Sequence, residues 1–476
     1  MDRALMAEPA GAAAVVNGEH NEICHQIRDG HKFAAPQGPL SKRDVVIVGG
    51  GISGLSAAWF LRDMNFLLIE KEPHWGGNAY LEEYDGQAFA TGSAYTNPDT
   101  EASELCKDLK IEPLPVNDLD GILVKREFVP DMWRSGLRHL PYRNAVRASF
   151  QKFRNDMANL DLKKRESELD STPLSEILKD YAPELTAWWD AYGPSNWGAR
   201  SADTSALVAL EEFSDLAGDA PDDRITFPGG LGAISKRLGE LLEASHKEHL
   251  LSGGTVIAVE QSKNDASVIY VHEGQIKQVR AKAVIVAAPK YIARHLVAGL
   301  PAAQSEAMGK IRYAPYPVVN MIFPKPVFNA GYDTWCPGNS FTDVVVADWV
   351  VHNQPGYKQR NNILSFYTPL REAERAKLLT EDGCRQIAAA VLRDWEKLSP
   401  TQGVDPLEVH IYRRGHPMFM PTPGNSTKIA PLVRQPFGRV FFANTDSEGG
   451  VSLTANSIQA ARRSISEMKR VLSGAA

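Results

Sequence analysis

Short, unbroken apolar runs punctuate this chain at wide intervals: Val45-Val46-Ile47-Val48, Leu67-Leu68-Ile69, Thr255-Val256-Ile257-Ala258-Val259, Ala283-Val284-Ile285-Val286 and Val440-Phe441-Phe442. Runs of this length read as strands, and the helical patterns alternating with them imply α/β architecture built from separated pieces. Residues 44–95, 225–295 and 436–476 supply that domain. Two stretches interrupt it. The first, 96–224, reads as mostly helical, with Thr172-Pro173 as an N-cap and N1 pair and a long charged helix from Ala145 to Glu168. The second, 296–435, mixes strand-like runs, Val318 to Phe323, Val344 to Val351 and Asn362 to Tyr367, with a helix from Arg371 to Lys397. The two stretches together are predicted to form one α+β domain, and residues 1–43 an N-terminal arm. At 476 residues the chain is too long for one ordinary core, which agrees with two domains.

The first strand runs directly into Gly49-Gly50-Gly51-Ile52-Ser53-Gly54, and an acid, Glu70, closes the next strand about 20 residues on. Each part has a physical role in dinucleotide binding. Gly49 makes the tight turn, Gly51 lets the backbone approach a pyrophosphate, and Gly54 lets the helix, with its apolar face Leu55, Ala58, Trp59 and Leu61, pack on the strand. The helix N-terminus offers free N–H groups to phosphate, and Glu70 is placed to accept from a ribose hydroxyl. No second fingerprint of this kind occurs. An enzyme drawing hydride from a nicotinamide cofactor ordinarily needs one, so the electrons are expected to come from an organic substrate.

Beyond the acid, Glu70-Lys71-Glu72-Pro73-His74-Trp75-Gly76-Gly77-Asn78 resembles the FAD-binding segment of the flavin monoamine oxidase superfamily. The resemblance continues in order through Thr91-Gly92-Ser93-Ala94-Tyr95, Phe227 to Ile234, Thr255 to Val259, Ala283 to Pro289 and Gly438 to Asp446. It implies an FAD-binding Rossmann-like domain assembled from discontinuous segments, plus an inserted α+β substrate domain, with the flavin in the crevice between them. The cofactor residues it implies are Gly49, Gly51, Ser53, Gly54, Glu70, Lys71, Gly76, Gly77, Asn78, Gly92, Ser93, Ala94, Val256, Asp446 and Val451. The expected activity is oxidation of a small organic donor, an amine or polyamine, by hydride transfer to flavin N5. A desaturase or isomerase of an apolar substrate, and a noncatalytic flavin-binding protein, are the alternatives.

The chain departs from the family where a lysine stands near N5: the strand Pro317 to Phe323 is expected to hold Asn320 there. It also lacks the paired aromatic rings, because Val451-Ser452-Leu453-Thr454-Ala455-Asn456 occupies that region. Trp197 and Tyr316 are the remaining aromatic candidates for the catalytic site, among Trp188, Trp189, Tyr192 and Tyr313; Asp190, Glu211 and Glu212 could hold a distal ammonium or be solvated helix charges. No cysteine lies between Met418 and Asn425, so the flavin is expected to be noncovalent.

Upstream, His25-Gln26-Ile27-Arg28-Asp29-Gly30 resembles the arm of spermidine dehydrogenases, which also carry haem. His20, Cys24, His25 and His31 could ligate haem iron or form an ordinary polar segment. Cys24, Cys106, Cys336 and Cys384 are too scattered for a disulfide framework or metal site, and fit a reducing compartment. Cytoplasmic localisation is therefore expected, with a periplasmic one if an export signal has been trimmed; Ala10 to Val16, near Asp2 and Glu8, is too short and acidic for a convincing signal. A net charge of -6 makes no case for nucleic acid, and no apolar run reaches membrane-spanning length. The electron acceptor and oligomeric state stay open.

Overall fold

The computed structural model describes residues 14–474 except 37, 39, 99–100, 219–221 and 353, so most of the small-residue run at the start lies outside the described residues. In the first sheet, strand Ser41–Val48 lies between Phe66–Ile69 and Gln275–Val286, parallel to both. The long strand Gln275–Val286 pairs antiparallel with Ala266–His272, then Gly254–Gln261, and its far end receives Val440–Phe442 in parallel. Alternate side chains of a strand face opposite ways, and both faces here are covered, which is why these runs are apolar without a break. Val45, Ile47, Phe66, Leu68, Ala283, Ile285 and Phe441 pack under the helices Ile52–Phe60, Gly232–His246 and Thr454–Leu472. Val46, Val48, Leu67, Ile69, Val284, Val286 and Phe442 fill the other face.

The second sheet has eight strands, in the order Val15–Gly18, Glu408–Arg413, Val318–Phe323, Asn362–Tyr367, Asp343–Val346, Asp333–Trp335, Gly121–Val124 and Glu127–Val129. It backs onto helix Glu381–Leu398, which Thr380 caps by accepting from the Gly383 amide at 3.1 Å. The helices of the first insertion enclose an aromatic core of Trp133, Phe150, Phe153, Trp188 and Trp189. The edge strand Val15–Gly18 comes from the arm, so the arm belongs structurally to this second sheet.

Several boundaries differ from the sequence reading. Helix Glu101–Leu109, assigned to the first insertion, buries Ala102, Leu105 and Cys106 in the nucleotide core. Likewise Lys290–Leu296 and Ala302–Lys310 pack on the first sheet, so the second insertion starts later than residue 296. The long charged helix is Asn144–Ala158 and ends at the Asn159 cap, and the helix placed at Arg371 to Lys397 is split at Thr380. Val344 to Val351 is strand only to Val346, before a turn of helix at Trp349–Val351. Among the described residues, no helix is long and apolar enough to cross a membrane.

Candidate cofactor and substrate site

The turn after the first strand has the form its glycines predict. Gly49 takes φ +104°, and a Cβ on Gly54 would stand 1.8 Å from the Gly49 carbonyl oxygen, so helix Ile52–Phe60 seats on the strand end only with glycine there. No side chain caps this helix, which leaves its first N–H groups for a ligand. Gly77 closes the opposite side: a Cβ on it would lie 3.2 Å from the Gly51 Cα. The buried Glu70 carboxylate accepts from the amides of Gly50 and Glu72, the latter at 2.8 Å. Burial pushes its pKa above the ordinary value, against those two hydrogen bonds.

From this cradle a cavity of about 690 Å³ runs to a chamber walled by Tyr95, Tyr316, Tyr367, Val318 and Val345. Tyr367 donates to the Gly92 carbonyl at 2.5 Å and Tyr316 to the Ser195 carbonyl at 2.8 Å; the two rings meet edge to face, 6.0 Å apart. Two acids, Asp333 and Asp343, also line the chamber. They sit on neighbouring antiparallel strands, where Asp333 pairs with Val345 and Asp343 with Trp335, so both project from one face of the sheet. Burial, then the charge of Asp343, holds the pKa of Asp333 well above the carboxylate range. Burial also raises Asp343, to about 7, opposed by the 2.6 Å bond it accepts from the Thr342 hydroxyl. Arg224 is engaged next to them, 2.7 Å from Asp120 and 2.8 Å from Asp222.

The structure brings most of the predicted residues together. Gly49, Gly51, Ser53, Glu70, Lys71, Gly76, Gly77, Asn78, Gly92, Ser93, Ala94, Val256 and Tyr316 line the one cavity, while Gly54 serves the helix packing behind it. Four others do not reach it. Asp446 is buried against Lys290 and Tyr313. Val451 packs into the aromatic core, although Ser452 and Leu453 beside it line the cavity. Trp197 is wholly buried, its indole donating to Thr204 at 2.9 Å. Asn320 lies one pair further along the strand than Val318, fully buried, donating to the Ala90 carbonyl at 3.0 Å and the Ser365 hydroxyl at 2.8 Å. It does not line the cavity, whereas Val318, two residues earlier on the same face of the strand, does. Asp190 caps Ser201, and neither it nor Glu211 or Glu212 lines the cavity.

The arm gives haem no support. His20 is bound to Glu72 at 2.7 Å, and the space beside Cys24, His25 and His416 is about 30 Å³. Sequence reasoning passed over Asp333, Asp343, Tyr367 and Arg414, which line the chamber and its entrance. The available signal was an acid at the end of an otherwise apolar strand, as in Asp343-Val344-Val345-Val346.

The residues fit FAD: a glycine cradle, uncapped helix donors and a buried acid lead along one cavity to an aromatic-walled chamber. The comparisons with known proteins agree. The chain is 25% identical over 266 residues to the oxidoreductase PigB of Serratia sp., spanning 38% of that protein's length and 52% of its own. It is 24% identical over 445 residues to amine oxidase [flavin-containing] B of Sus scrofa, covering 86% of this chain and 82% of that one. A double mutant of putrescine oxidase superposes with a TM-score of 0.71 at 18% identity, over 90% of this chain and 100% of that one. Cyclohexylamine oxidase from Brevibacterium oxydans does so with a TM-score of 0.71 at 19% identity, over 90% and 99%. The flavin containing amine oxidoreductase model matches residues 52–464, and the chain belongs to that family.

Proposed function

We propose that this protein is an FAD-dependent oxidoreductase that oxidises an organic amine or polyamine. The observation carrying this reading is the continuity of the FAD cradle with a chamber whose aromatic wall holds the acids Asp333 and Asp343. Asp343, raised to about 7, gives a cationic substrate a charge partner once it ionises, and two buried carboxyls are a poor match for a purely apolar substrate. FAD supplies the hydride acceptor, at N5, and the imine product then hydrolyses to an aldehyde or ketone. The chain's own residues bind and orient: Tyr95, Tyr316 and Tyr367 close the sides, and Asp343, raised to about 7, holds or releases a proton next to the amine. The names of relatives that act on amines support the same reading.

The test is anaerobic mixing of the purified yellow protein with primary amines, secondary amines and polyamines, in parallel with apolar alcohols and alkenes. Loss of the flavin band with an amine, with aldehyde or ketone formed in equal amount, is the expected result. Bleaching by apolar donors alone would replace this reading with the desaturase one, and bleaching by none with a flavin-binding role.

A further inference from the structure

We propose that Arg414 is the charge partner of the flavin ring, its guanidinium stabilising the negative charge that the ring gains on reduction. The inference rests on FAD occupying the cradle, and on where Arg414 stands. It follows strand Glu408–Arg413, is 7% exposed and lines the cavity. Its Nη2 donates to the Thr91 hydroxyl at 2.9 Å and its Nη1 to the Thr91 carbonyl; a Cβ on Gly92 would lie 3.5 Å from Nη1. Gly92 in turn touches both halves of the cavity: its carbonyl accepts from Tyr367 of the chamber, and a Cβ on it would strike the Asn78 carbonyl of the cradle. Thr91 and Gly92 therefore mark the passage between cradle and chamber. A dinucleotide anchored at Gly51 and Glu70 presents its ring to the chamber only by lying along this passage.

Among the described residues no carboxylate lies within ion-pair distance of Arg414. Glu19 and Glu82 act on it only from further off, their oxygens turned to the Gly415 amide at 3.3 Å and the Tyr412 hydroxyl at 2.6 Å. Lys71, another cation on the cavity wall, is paired with Glu72. Arg413 also lines the cavity, and its charge acts as well on Cys384 of the helix behind the sheet. A buried guanidinium without an anion is costly, so the anion is expected to arrive with the ligand. FAD has two such groups, the diphosphate and the reduced ring, and the place of Arg414 at the chamber entrance favours the ring. A cation at this point makes reduction more favourable by binding the reduced form more tightly than the oxidised one.

The experiment is the midpoint potential of the bound flavin, with the affinity for oxidised FAD, in wild type and in Arg414→Met, Arg414→Gln and Arg414→Lys. The neutral variants should shift the equilibrium tenfold or more toward oxidised flavin, about 30 mV for a two-electron couple. The lysine variant should stay within threefold of wild type. Neutral variants within threefold of wild type would overturn the assignment. A lysine variant shifted as far as methionine would also overturn it, leaving Arg414 a clamp on Thr91. Loss of FAD affinity at unchanged potential would move the contact to the diphosphate and equally refute the ring. Should the neutral variants not fold, the wild type decides: reduced enzyme should keep N1 deprotonated at a pH where free reduced FAD is protonated there, and the protonated spectrum would sink the idea. Failure of any amine to bleach the flavin bears on the proposed activity alone, because these readouts need no substrate.

Discussion

Lys290 and Asp446 form an ion pair of 2.6 Å in which neither side chain has any exposure. The ammonium also donates to the Ser447 hydroxyl at 2.7 Å, and Asp446 accepts from the Lys290 amide at 2.8 Å and the Tyr313 hydroxyl at 2.7 Å. The pair ties helix Lys290–Leu296 to the segment leaving strand Val440–Phe442, behind the cavity wall at Asn444 and Thr445. Asp446→Ala strands a buried ammonium and should cost about 3–5 kcal/mol in chemical denaturation. A loss below about 1 kcal/mol would mean that the pair is dispensable.

The chamber acids make stability depend on pH with an unusual sign. Asp343 ionises near 3.8 in an unfolded chain and at about 7 in the fold, so between those values the folded protein holds more protons. Its contribution to stability is full below about pH 4, declines as pH rises toward 7 and then levels off. Asp343→Asn removes the titration, so the variant should gain on wild type in urea midpoint between pH 4 and 7. A constant difference across that window would contradict the buried, raised carboxyl.

Glu70 is the acid of the dinucleotide turn, and Glu70→Ala should weaken FAD retention by roughly 1.5–3 kcal/mol if a charged hydrogen bond to ribose is lost. Equilibrium dialysis of FAD against both proteins measures this, and equal affinity would remove Glu70 from the ribose site.

FAD should leave the protein on acid precipitation, since Met418 to Asn425, which runs past the cavity at Met418 and Phe419, contains no cysteine. Flavin that stays in the pellet would show a covalent bond to some other residue.

Asn320 gives a negative expectation. Because it is buried between Ala90 and Ser365, Asn320→Lys should place an ammonium without a partner in the core and lower stability by several kcal/mol. Asn320→Ala should cost about 1–3 kcal/mol, from polar groups left unpaired, and leave reoxidation in air unchanged. Altered reoxidation in the alanine variant would return this residue to the flavin.

The nucleotide half of the site was legible because its constraints are local. Gly49, Gly54 and Glu70 are dictated by one turn, one helix contact and one strand end, all within about 20 residues of sequence. The chamber was not, because its wall is assembled by pairing between distant strands. Val318 and Asn320 share a face of their strand, and the cavity reaches the pair Val318 with Tyr367 but not the next pair, Asn320 with Ser365, a limit set by distant segments that no local pattern records. Trp197 misled for a related reason: an indole can satisfy its N–H inside a core, as it does on Thr204, and its neighbouring glycine then marks the end of helix Pro183–Trp197 and not a pocket.

The arm has a kinetic consequence. Val15–Gly18 zips onto His410–Arg413 of the chamber sheet, and two residues later His20 grips Glu72 beside the cradle, with Asn17, Gly18 and Glu19 lining the cavity between. The chain thus folds its own beginning across the seam where its two halves meet. Any ligand whose path crosses the arm has to wait for these backbone pairs and the Glu72 contact to open together, which adds the opening rate of the arm to the strength of the ligand's own contacts in setting its residence.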